Sequence, residues 1–390
     1  SRMLRFCHAF HGCDVRLRLG ALLLVLVVEG CAATAASDGA ASKPPLPLGE
    51  LLLVGFAGTQ VEGNEEIRAL VCDVKVGGLI LFERDARTGE ARNITGPEQV
   101  RRLTADLQAL ARECAGRPLL IAADNEGGLV MRLSTRVGYL PSPPPQALGE
   151  AGDVAATELE SRRMGATLRE AGINWNLAPV VDVAVNPLNP AVVTLGRTFG
   201  SDPQQVIAQA RAFIQGMHDA GVLTSLKHFP GHGSSRTDSH HGFVDVTDTA
   251  DLKVELEPYR ALIKEGLADS VMTAHVFNRG IDFYHPATLS RFAIARYLRG
   301  KLGYKGLVVS DDLLMGAIRQ HYGVEEASVL ALQATVDMLL ISQNQGKVVR
   351  GAAERVIAGI RQALRDGRLS PKSLAVSIER VRALRSRIAQ

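Results

Sequence analysis

Short apolar runs separated by amphipathic stretches constrain the fold of this chain more than any other feature. Each run is continuously apolar rather than alternating, a pattern typical of strands buried on both faces of a parallel sheet. The runs cover residues 51–56, 78–82, 119–123, 173–183, 223–226, 270–274, 307–309 and 336–341. Amphipathic stretches with helical spacing occupy residues 97–114, 154–171, 203–220, 252–267, 325–335 and 347–365.

This succession of strand-then-helix units predicts an α/β fold, a (β/α)8 TIM barrel that forms a single catalytic domain over residues 48–390. A doubly wound open sheet is the alternative interpretation of the same alternation. The segment Gly55-Phe56-Ala57-Gly58, which follows the first run, lacks the spacing of a glycine-rich phosphate loop. With 46% apolar and 22% charged residues, the composition is that of a folded globular protein.

The N-terminal residues 1–31 resemble an export leader. A basic stretch precedes an unbroken apolar run over residues 21–28, which is too short to cross a bilayer but suits a secretory signal. Cys31 follows a glycine in the position of a bacterial lipoprotein cleavage site, which predicts a lipid anchor there. Residues 32–47 have the composition of a linker. We therefore expect a location in the cell envelope or periplasm, or in the cytoplasm if the leader is a mis-assigned start.

The charge and the cysteines add two constraints. The formal net charge of +3 arises within residues 1–20, so we expect no nucleic-acid-binding face on the folded part. Cys72 and Cys114 lie outside the leader and have no metal-binding spacing. Two such cysteines are most often buried apolar residues, although they could pair in an exported protein.

Ionisable residues gather where the predicted strands end, which is where barrel enzymes place their chemistry. The densest stretch, residues 227–242, contains four of the ten histidines. The polar residues at these exits are Asp124, Glu126 and Arg132, then Asp182 and Arg197, then Lys227 and His228, then His275, and finally Asp311 and Asp312. Carboxylates and arginines give directional hydrogen bonds to sugar hydroxyls, and a carboxylate can attack an anomeric carbon. The exits therefore indicate a carbohydrate site.

Several motifs at these exits carry a family resemblance. The string Lys227-His228-Phe229-Pro230-Gly231-His232-Gly233, followed by Asp238-Ser239-His240, resembles the signature of β-N-acetylhexosaminidases of glycoside hydrolase family 3. Asp124-x-Glu126-Gly127-Gly128, Gly196-Arg197-Thr198-Phe199-Gly200 and Ser310-Asp311-Asp312-Leu313-x-Met315 are similar to the family's other motifs, in the same order.

The resemblance implies a retaining exo-β-N-acetylglucosaminidase. Asp311 would be the nucleophile, and His240 would be the acid/base, held by Asp238 in an Asp-His dyad. The residues that would hold the sugar are Asp124, Arg132, Arg197, Lys227 and His228. The implied substrates are muropeptides or chitooligosaccharides that carry N-acetylglucosamine. No cofactor and no metal are expected, and the chain is expected to be a monomer.

Each candidate has a structural alternative. Asp312 is expected to cap a helix or to pack, and His241 and His275 are expected to be structural. Glu126 could contact the sugar or brace a loop, and bracing is favoured. Trp175 is expected to pack inside the barrel rather than to stack on the sugar. Asp182 could either shape the site or pack. His228 and His232 stand four residues apart, but Pro230 and Gly231 between them prevent a helical metal-binding pair. The remaining rival functions are another β-glycosidase or a glycoside phosphorylase, and a non-catalytic glycan-binding envelope lipoprotein.

Overall fold

The computed structural model describes residues 45–345 and 348–388. The predicted leader, its Cys31 and most of the predicted linker lie outside the described residues. Contacts group residues Pro45–Gln390 into one compact unit. Within the described part of the chain, no helix is both long and apolar enough to cross a membrane.

The strands and helices alternate along the chain. The strands are β1 (Leu52–Gly55), β2 (Gly78–Ile80), β3 (Leu120–Ala123), β4 (Asn125–Gly127), β5 (Val130–Met131), β6 (Trp175–Asn176), β7 (Leu226–Phe229), β8 (Val244–Asp245), β9 (Ser270–Thr273), β10 (Val276–Phe277), β11 (Leu307–Val309) and β12 (Leu339–Ile341). The α-helices are α1 (Glu65–Arg68), α2 (Pro97–Ala115), α3 (Pro145–Ala151), α4 (Val154–Glu170), α5 (Pro203–Asp219), α6 (Leu252–Glu255), α7 (Glu257–Lys264), α8 (Gly316–Arg319), α9 (Val324–Gln333), α10 (Ala352–Arg365) and α11 (Pro371–Arg385). Two π-helical segments span Ala69–Val74 and Phe292–Lys301, and short 3₁₀ turns span Leu48–Leu51, Thr135–Val137 and Ala287–Leu289.

The long strands form two parallel sheets rather than one continuous closed sheet. One sheet has the order β12-β1-β2-β3-β6, and the other has the order β11-β9-β7. Single parallel bridges, Trp175 to Leu223 and Val309 to Met338, link the sheets at both edges. The strands therefore follow one another in the order of a TIM-barrel-like α/β fold. The predicted α/β class is confirmed as a TIM-barrel-like fold, whereas the two sheets do not form the one continuous closed sheet of the barrel that was predicted.

Strand alternation separates two apolar layers. Along β1, Leu53 faces the strand-enclosed interior, whereas Leu52 and Val54 face the surrounding helices. Trp175 belongs to the interior cluster, and its indole Nε1 donates to Ser270 Oγ at 3.1 Å. The prediction that Trp175 packs in the interior rather than lining the cavity is confirmed, since the side chain is fully buried among the strands.

Several predicted element boundaries were wrong. The fourth run gives a strand only at Trp175–Asn176, because the chain then leaves the ladder apart from a bridge between Val180 and Lys227. The fifth apolar run leads into β7 (Leu226–Phe229), so Lys227 and His228 lie in this strand rather than after it. The predicted helix 252–267 is two helices that meet at Leu256, just before Pro258 in the first turn of α7.

Helix α11 was not predicted, and it covers the end of the strand-enclosed interior opposite the cavity described below. Its Val381 and Leu384 join the interior cluster of strand residues. Arg382 and Arg385 bind the buried carboxylate of Glu50, in the 3₁₀ turn before β1, at 2.9 and 2.8 Å. Burial alone would raise the pKa of Glu50, but these arginines outweigh it and lower that pKa. The last helix is thus tied to the first strand.

Cys72 and Cys114, whose pairing the sequence left open, form a disulfide bond. Cys72 lies in the π-helical segment Ala69–Val74, and Cys114 lies in the last turn of α2. The bond closes a sequence separation of 42 residues.

Candidate active site

A cavity of about 180 Å³ opens at the carboxyl ends of the long strands. Its walls come from several strand exits, as parallel α/β folds require of their sites. The polar lining residues are Asp124, Glu126, Arg132, Arg197, Lys227, His228, His240, Asp311, Asp312, Ser342 and Gln345. Of the eight predicted site residues, seven line this cavity, and Asp238 lies behind His240 as its hydrogen-bond partner.

Glu126 is the centre of a buried charge network on one wall. Its two carboxylate oxygens accept from Arg197 Nε and Nη2, both at 2.8 Å. Lys227 Nζ lies 2.6 Å from Glu126 Oε1 and donates to Asp124 Oδ1 at 2.9 Å. Burial alone would raise the pKa of Glu126, but Arg197 and Lys227 outweigh it and hold that pKa far below its ordinary value. Glu126 thus holds the side chains of Arg197 and Lys227, which line the cavity, in agreement with the predicted bracing role.

Arg132 completes this wall from the hairpin formed by β4 and β5. Its Nη2 lies 3.4 Å from Asp124 Oδ2, and its guanidinium carbon stands 5.4 Å from the centroid of the Phe82 ring. Lys227 and Arg132 together lower the pKa of Asp124 against the opposing effect of burial. Asp124 is therefore ionised and accepts from both cations.

Asp182, which the sequence could not assign, orients the histidines of the β7 motif. Its Oδ2 accepts from His228 Nδ1 at 2.7 Å, and its Oδ1 accepts from the His232 backbone N–H at 2.8 Å. This leaves His228 Nε2 on the cavity side, 3.5 Å from Arg197 Nη2. Asp182 is fully buried and does not line the cavity, so it shapes the site from behind.

Asp311 follows β11 and reaches the cavity from the opposite wall. Its Oδ1 accepts the backbone N–H of Asp312 at 2.8 Å, and its own N–H donates to Thr273 Oγ1 at 3.3 Å. Among the described residues, none donates a hydrogen bond to Asp311 Oδ2. Burial alone would raise the pKa of Asp311, but His275, His228 and His240 lower it. Asp311 therefore offers the cavity one ionised, unoccupied oxygen.

Asp312 and His275 hold this segment in place. Asp312 accepts the backbone N–H groups of Leu314 at 3.2 Å and Ser342 at 3.0 Å, and also the Ser342 hydroxyl. It is not the cap of α8, whose N-cap is Met315, so the packing alternative is the correct one. Burial raises the pKa of Asp312 to about 6. His275 is fully buried and hydrogen-bonded to Thr288 and the Asp312 carbonyl, as expected of a structural histidine.

His240 and Asp238 form the predicted dyad. His240 Nδ1 donates to Asp238 Oδ1 at 2.7 Å, and the backbone N–H of His240 donates to the same oxygen at 2.9 Å. Partial burial alone would lower the pKa of His240, but Asp238 and then Asp311 raise it above its ordinary value. With Nδ1 engaged, Nε2 is the atom free to exchange a proton in the cavity.

The loop that carries the dyad is anchored on both sides. His232 is buried between the hydroxyls of Ser235 at 2.8 Å and Ser239 at 3.0 Å, and burial lowers its pKa to about 4. Across the loop, the backbone N–H groups of Gly316 and Ala317 donate to the carbonyls of His240 and Ser239 at 3.3 and 3.1 Å. A Cβ on Gly316 would stand 2.9 Å from the His240 carbonyl oxygen, so only glycine permits this approach.

Three features of the site were not predicted from the sequence. Ser342 and Met315 line the cavity, and neutral His232 anchors the dyad loop. Met315 belongs to the Ser310–Met315 motif, but no role was predicted for it. Ser342 directly follows the last apolar run, and this position at a strand end could have identified it as a site residue. In the described ranges, no group of three or more His, Cys, Asp and Glu side chains is arranged to hold a metal ion.

Comparisons with known proteins agree with this site. The family described as Glycosyl hydrolase family 3 N terminal domain matches residues 46–384. A β-hexosaminidase of Alkalilimnicola ehrlichii is 38% identical over 296 residues, which cover 74% of this chain and 80% of that protein. The β-hexosaminidase LpqI of Mycobacterium tuberculosis is 35% identical over 371 residues, covering 93% of this chain and 87% of that protein.

A solved structure adds the fold. A glycoside hydrolase family 3 β-N-acetylglucosaminidase from Paenibacillus sp. str. FPU-7 superposes with a TM-score of 0.80 at 37% identity. The match covers 87% of this chain but only 62% of that longer protein. The resemblance seen in the motifs is therefore confirmed: this chain belongs to glycosyl hydrolase family 3 and is a glycoside hydrolase related to the β-hexosaminidases.

Proposed function

We propose that this enzyme hydrolyses terminal, non-reducing N-acetyl-β-D-hexosamine residues with retention of configuration. The observation that carries the proposal is the convergence, in one cavity, of the ionised Asp311 and the Asp238-held His240 from two different loops. The relatives named β-hexosaminidase and β-N-acetylglucosaminidase support the choice of sugar. A module that only binds glycan needs neither a nucleophile nor a proton donor.

The first half of the reaction forms a covalent intermediate. Asp311 Oδ2, which accepts no hydrogen bond from the described residues, attacks the anomeric carbon as the bond to the leaving oxygen breaks. His240 Nε2 gives its proton to that oxygen, and Asp238 stabilises the imidazolium before the transfer. The other Asp311 oxygen stays fixed by the Asp312 N–H, so the attacking oxygen is held in position.

The second half restores the enzyme. His240, now neutral, removes a proton from water, and the water oxygen attacks the anomeric carbon on the face that the leaving group vacated. The ester bond to Asp311 breaks, and both groups regain their starting protonation states. Two inversions at one carbon give net retention.

The charged wall would hold the sugar in the subsite next to the bond that is cleaved. Asp124 and His228 offer acceptor or donor atoms to hydroxyls, and Arg132, Arg197 and Lys227 supply charge-assisted donors. Because these cations are already paired with Asp124 and Glu126, their positions are fixed before substrate arrives. Such a preorganised wall loses little freedom on binding.

The direct test is Asp311→Ala assayed on an aryl β-N-acetylglucosaminide and, in parallel, on the matching β-glucoside. We expect wild type to prefer the N-acetyl sugar and the variant to lose at least about 10³-fold in kcat without a change in thermal unfolding. As a control, Asp245→Ala removes an exposed carboxylate at the end of β8 and is expected to keep wild-type activity. Retention of most activity by Asp311→Ala would show that the nucleophile is misassigned. Product analysis in phosphate buffer separates the two reaction types, because a phosphorylase would release a sugar 1-phosphate and a hydrolase the free sugar.

We also infer that the protein is exported and acts on cell-wall glycans as a monomer. The disulfide bond between Cys72 and Cys114 supports export, because disulfides persist in oxidising compartments. Fractionation of cells that express wild type and Cys31→Ser tests the lipid anchor: the wild type should partition with membranes and the variant should not. Finding wild type in the cytoplasm would refute export. The edge bridges further support a closed (β/α)8 barrel that forms a single catalytic domain.

A further inference from the structure

An aromatic cluster beside the dyad loop has no part in the mechanism above. The Phe243 ring lies 5.4 Å, between centroids, from Phe277 and 6.0 Å from His321. Phe243 is 50% exposed, whereas five of the nine phenylalanines in the described part of the chain are buried. We call Phe243, Phe277 and His321 the aromatic platform. Single exposed apolar residues are normal, but a supported aromatic surface at the rim of a site indicates ligand contact.

The platform is built on the same segments that hold His240. Strand β8, which directly follows Phe243, pairs in parallel with β10, which ends at Phe277. Gln320, the neighbour of His321, donates from Nε2 to the His241 carbonyl at 3.0 Å. Since the Gly316 N–H donates to the His240 carbonyl, residues 240–243 run along residues 316–321. Phe243, three residues after His240 in the chain, is thereby held by the same segment that holds His240.

The position of the platform follows from the direction of proton transfer. His240 Nε2 must lie beside the glycosidic oxygen, which leaves with the second half of the substrate. That half therefore lies on the His240 side of the cavity, while Asp311 and the charged wall surround the first sugar. The platform residues do not line the cavity itself, but they are built on the loop that carries His240. Aromatic rings pack well against the C–H faces of pyranose rings.

We propose that the aromatic platform binds the first sugar ring of the leaving group, with Phe243 as the stacking residue. The proposal rests on the proposed function, because it uses His240 as the acid that faces the leaving group. It assigns this surface a ligand class, which is a neutral or substituted pyranose ring in the leaving group. The charged wall described above would hold only the first sugar. Phe243 is then a residue that selects for saccharide leaving groups over small ones.

The test compares two substrates that differ only in the leaving group: methyl β-N-acetylglucosaminide and N,N′-diacetylchitobiose. For Phe243→Ala we expect kcat/KM on the disaccharide to fall about five- to tenfold, mainly through a higher KM. The loss on the methyl glycoside should be at least threefold smaller. Phe243→Tyr retains the ring and should keep most activity on the disaccharide. Phe292→Ala is the matched control, since Phe292 is 49% exposed but lies outside the dyad loop.

The outcomes separate the two proposals. An equal loss on both substrates would show that Phe243 only supports the position of His240, and would overturn the platform. An unchanged KM for the disaccharide in Phe243→Ala would do the same. A wild-type enzyme that cleaves neither substrate would instead refute the proposed function, on which the platform depends. Thermal unfolding of each variant confirms that the differences do not arise from loss of fold.

Discussion

Neutralising Glu126 should destabilise the protein far more than neutralising a carboxylate in an equivalent surface ion pair. In Glu126→Gln, Arg197 and Lys227 stay buried and lose their shared carboxylate. Removing one partner from a buried pair typically costs about 3–5 kcal/mol, because the other charge is left uncompensated. Glu265 provides the control, since it accepts from Arg211 Nε and Nη2, both at 2.7 Å, at the protein surface. Such an exposed pair contributes only about 0.2–1 kcal/mol.

These free energies convert into measurable shifts in Tm. The unfolding entropy of about 2.1 cal/mol/K per residue, applied to the unit Pro45–Gln390, gives roughly 0.7 kcal/mol/K. Glu126→Gln should therefore lower Tm by about 4–7 °C, and Glu265→Gln by less than about 1.5 °C. Calorimetry on both purified variants checks this. Equal shifts for the two variants would refute the argument that burial makes the Glu126 network costly to break.

Two further predictions concern pH and the disulfide bond. Because Asp238 raises the pKa of His240, the alkaline limb of kcat/KM should lie above the pH of about 6.5 that an ordinary histidine would give, and Asp238→Asn should move this limb to lower pH. An unmoved limb in a pH–rate profile of the variant would exclude His240 as the acid. The bond between Cys72 and Cys114 closes a loop, which stabilises the fold by about 4 kcal/mol through the lower chain entropy of the unfolded state. The double serine variant should therefore unfold at a Tm about 6 °C lower. A wild-type Tm that does not change in dithiothreitol would contradict the pairing.

The catalytic end of the molecule could be predicted from the sequence because the end of each buried strand is visible there, as an ionisable residue next to an apolar run. Asp124, Lys227 and Asp311 each stand beside an apolar run, and parallel strands bring such exits together. What the sequence could not supply was the partner of each charged group. Asp182 shows this: the same carboxylate could shape the site or pack, and only its 2.7 Å contact with His228 decides.

The opposite end of the barrel was missed for a physical reason. Helix α11 begins after Ser370, whose hydroxyl accepts from the Ser373 N–H, and such a cap is a recognisable signal. Its apolar side is narrow, however, and its arginines suggest a solvated surface helix. Their partners, Glu50 and Asp337, lie far away in the sequence, so their pairing depends on the closed fold.

The ion pairs of Arg382 and Arg385 in α11 with Glu50 constrain when this end of the fold can form during synthesis. Glu50 emerges from the ribosome among the first residues of the fold, whereas Arg382 and Arg385 follow more than three hundred residues later. Until they arrive, the interior cluster that contains Leu53 lacks Val381 and Leu384 of α11. A nascent chain therefore cannot cover this end of its strand-enclosed interior before translation is nearly finished, and apolar surface that stays exposed during synthesis is prone to aggregation.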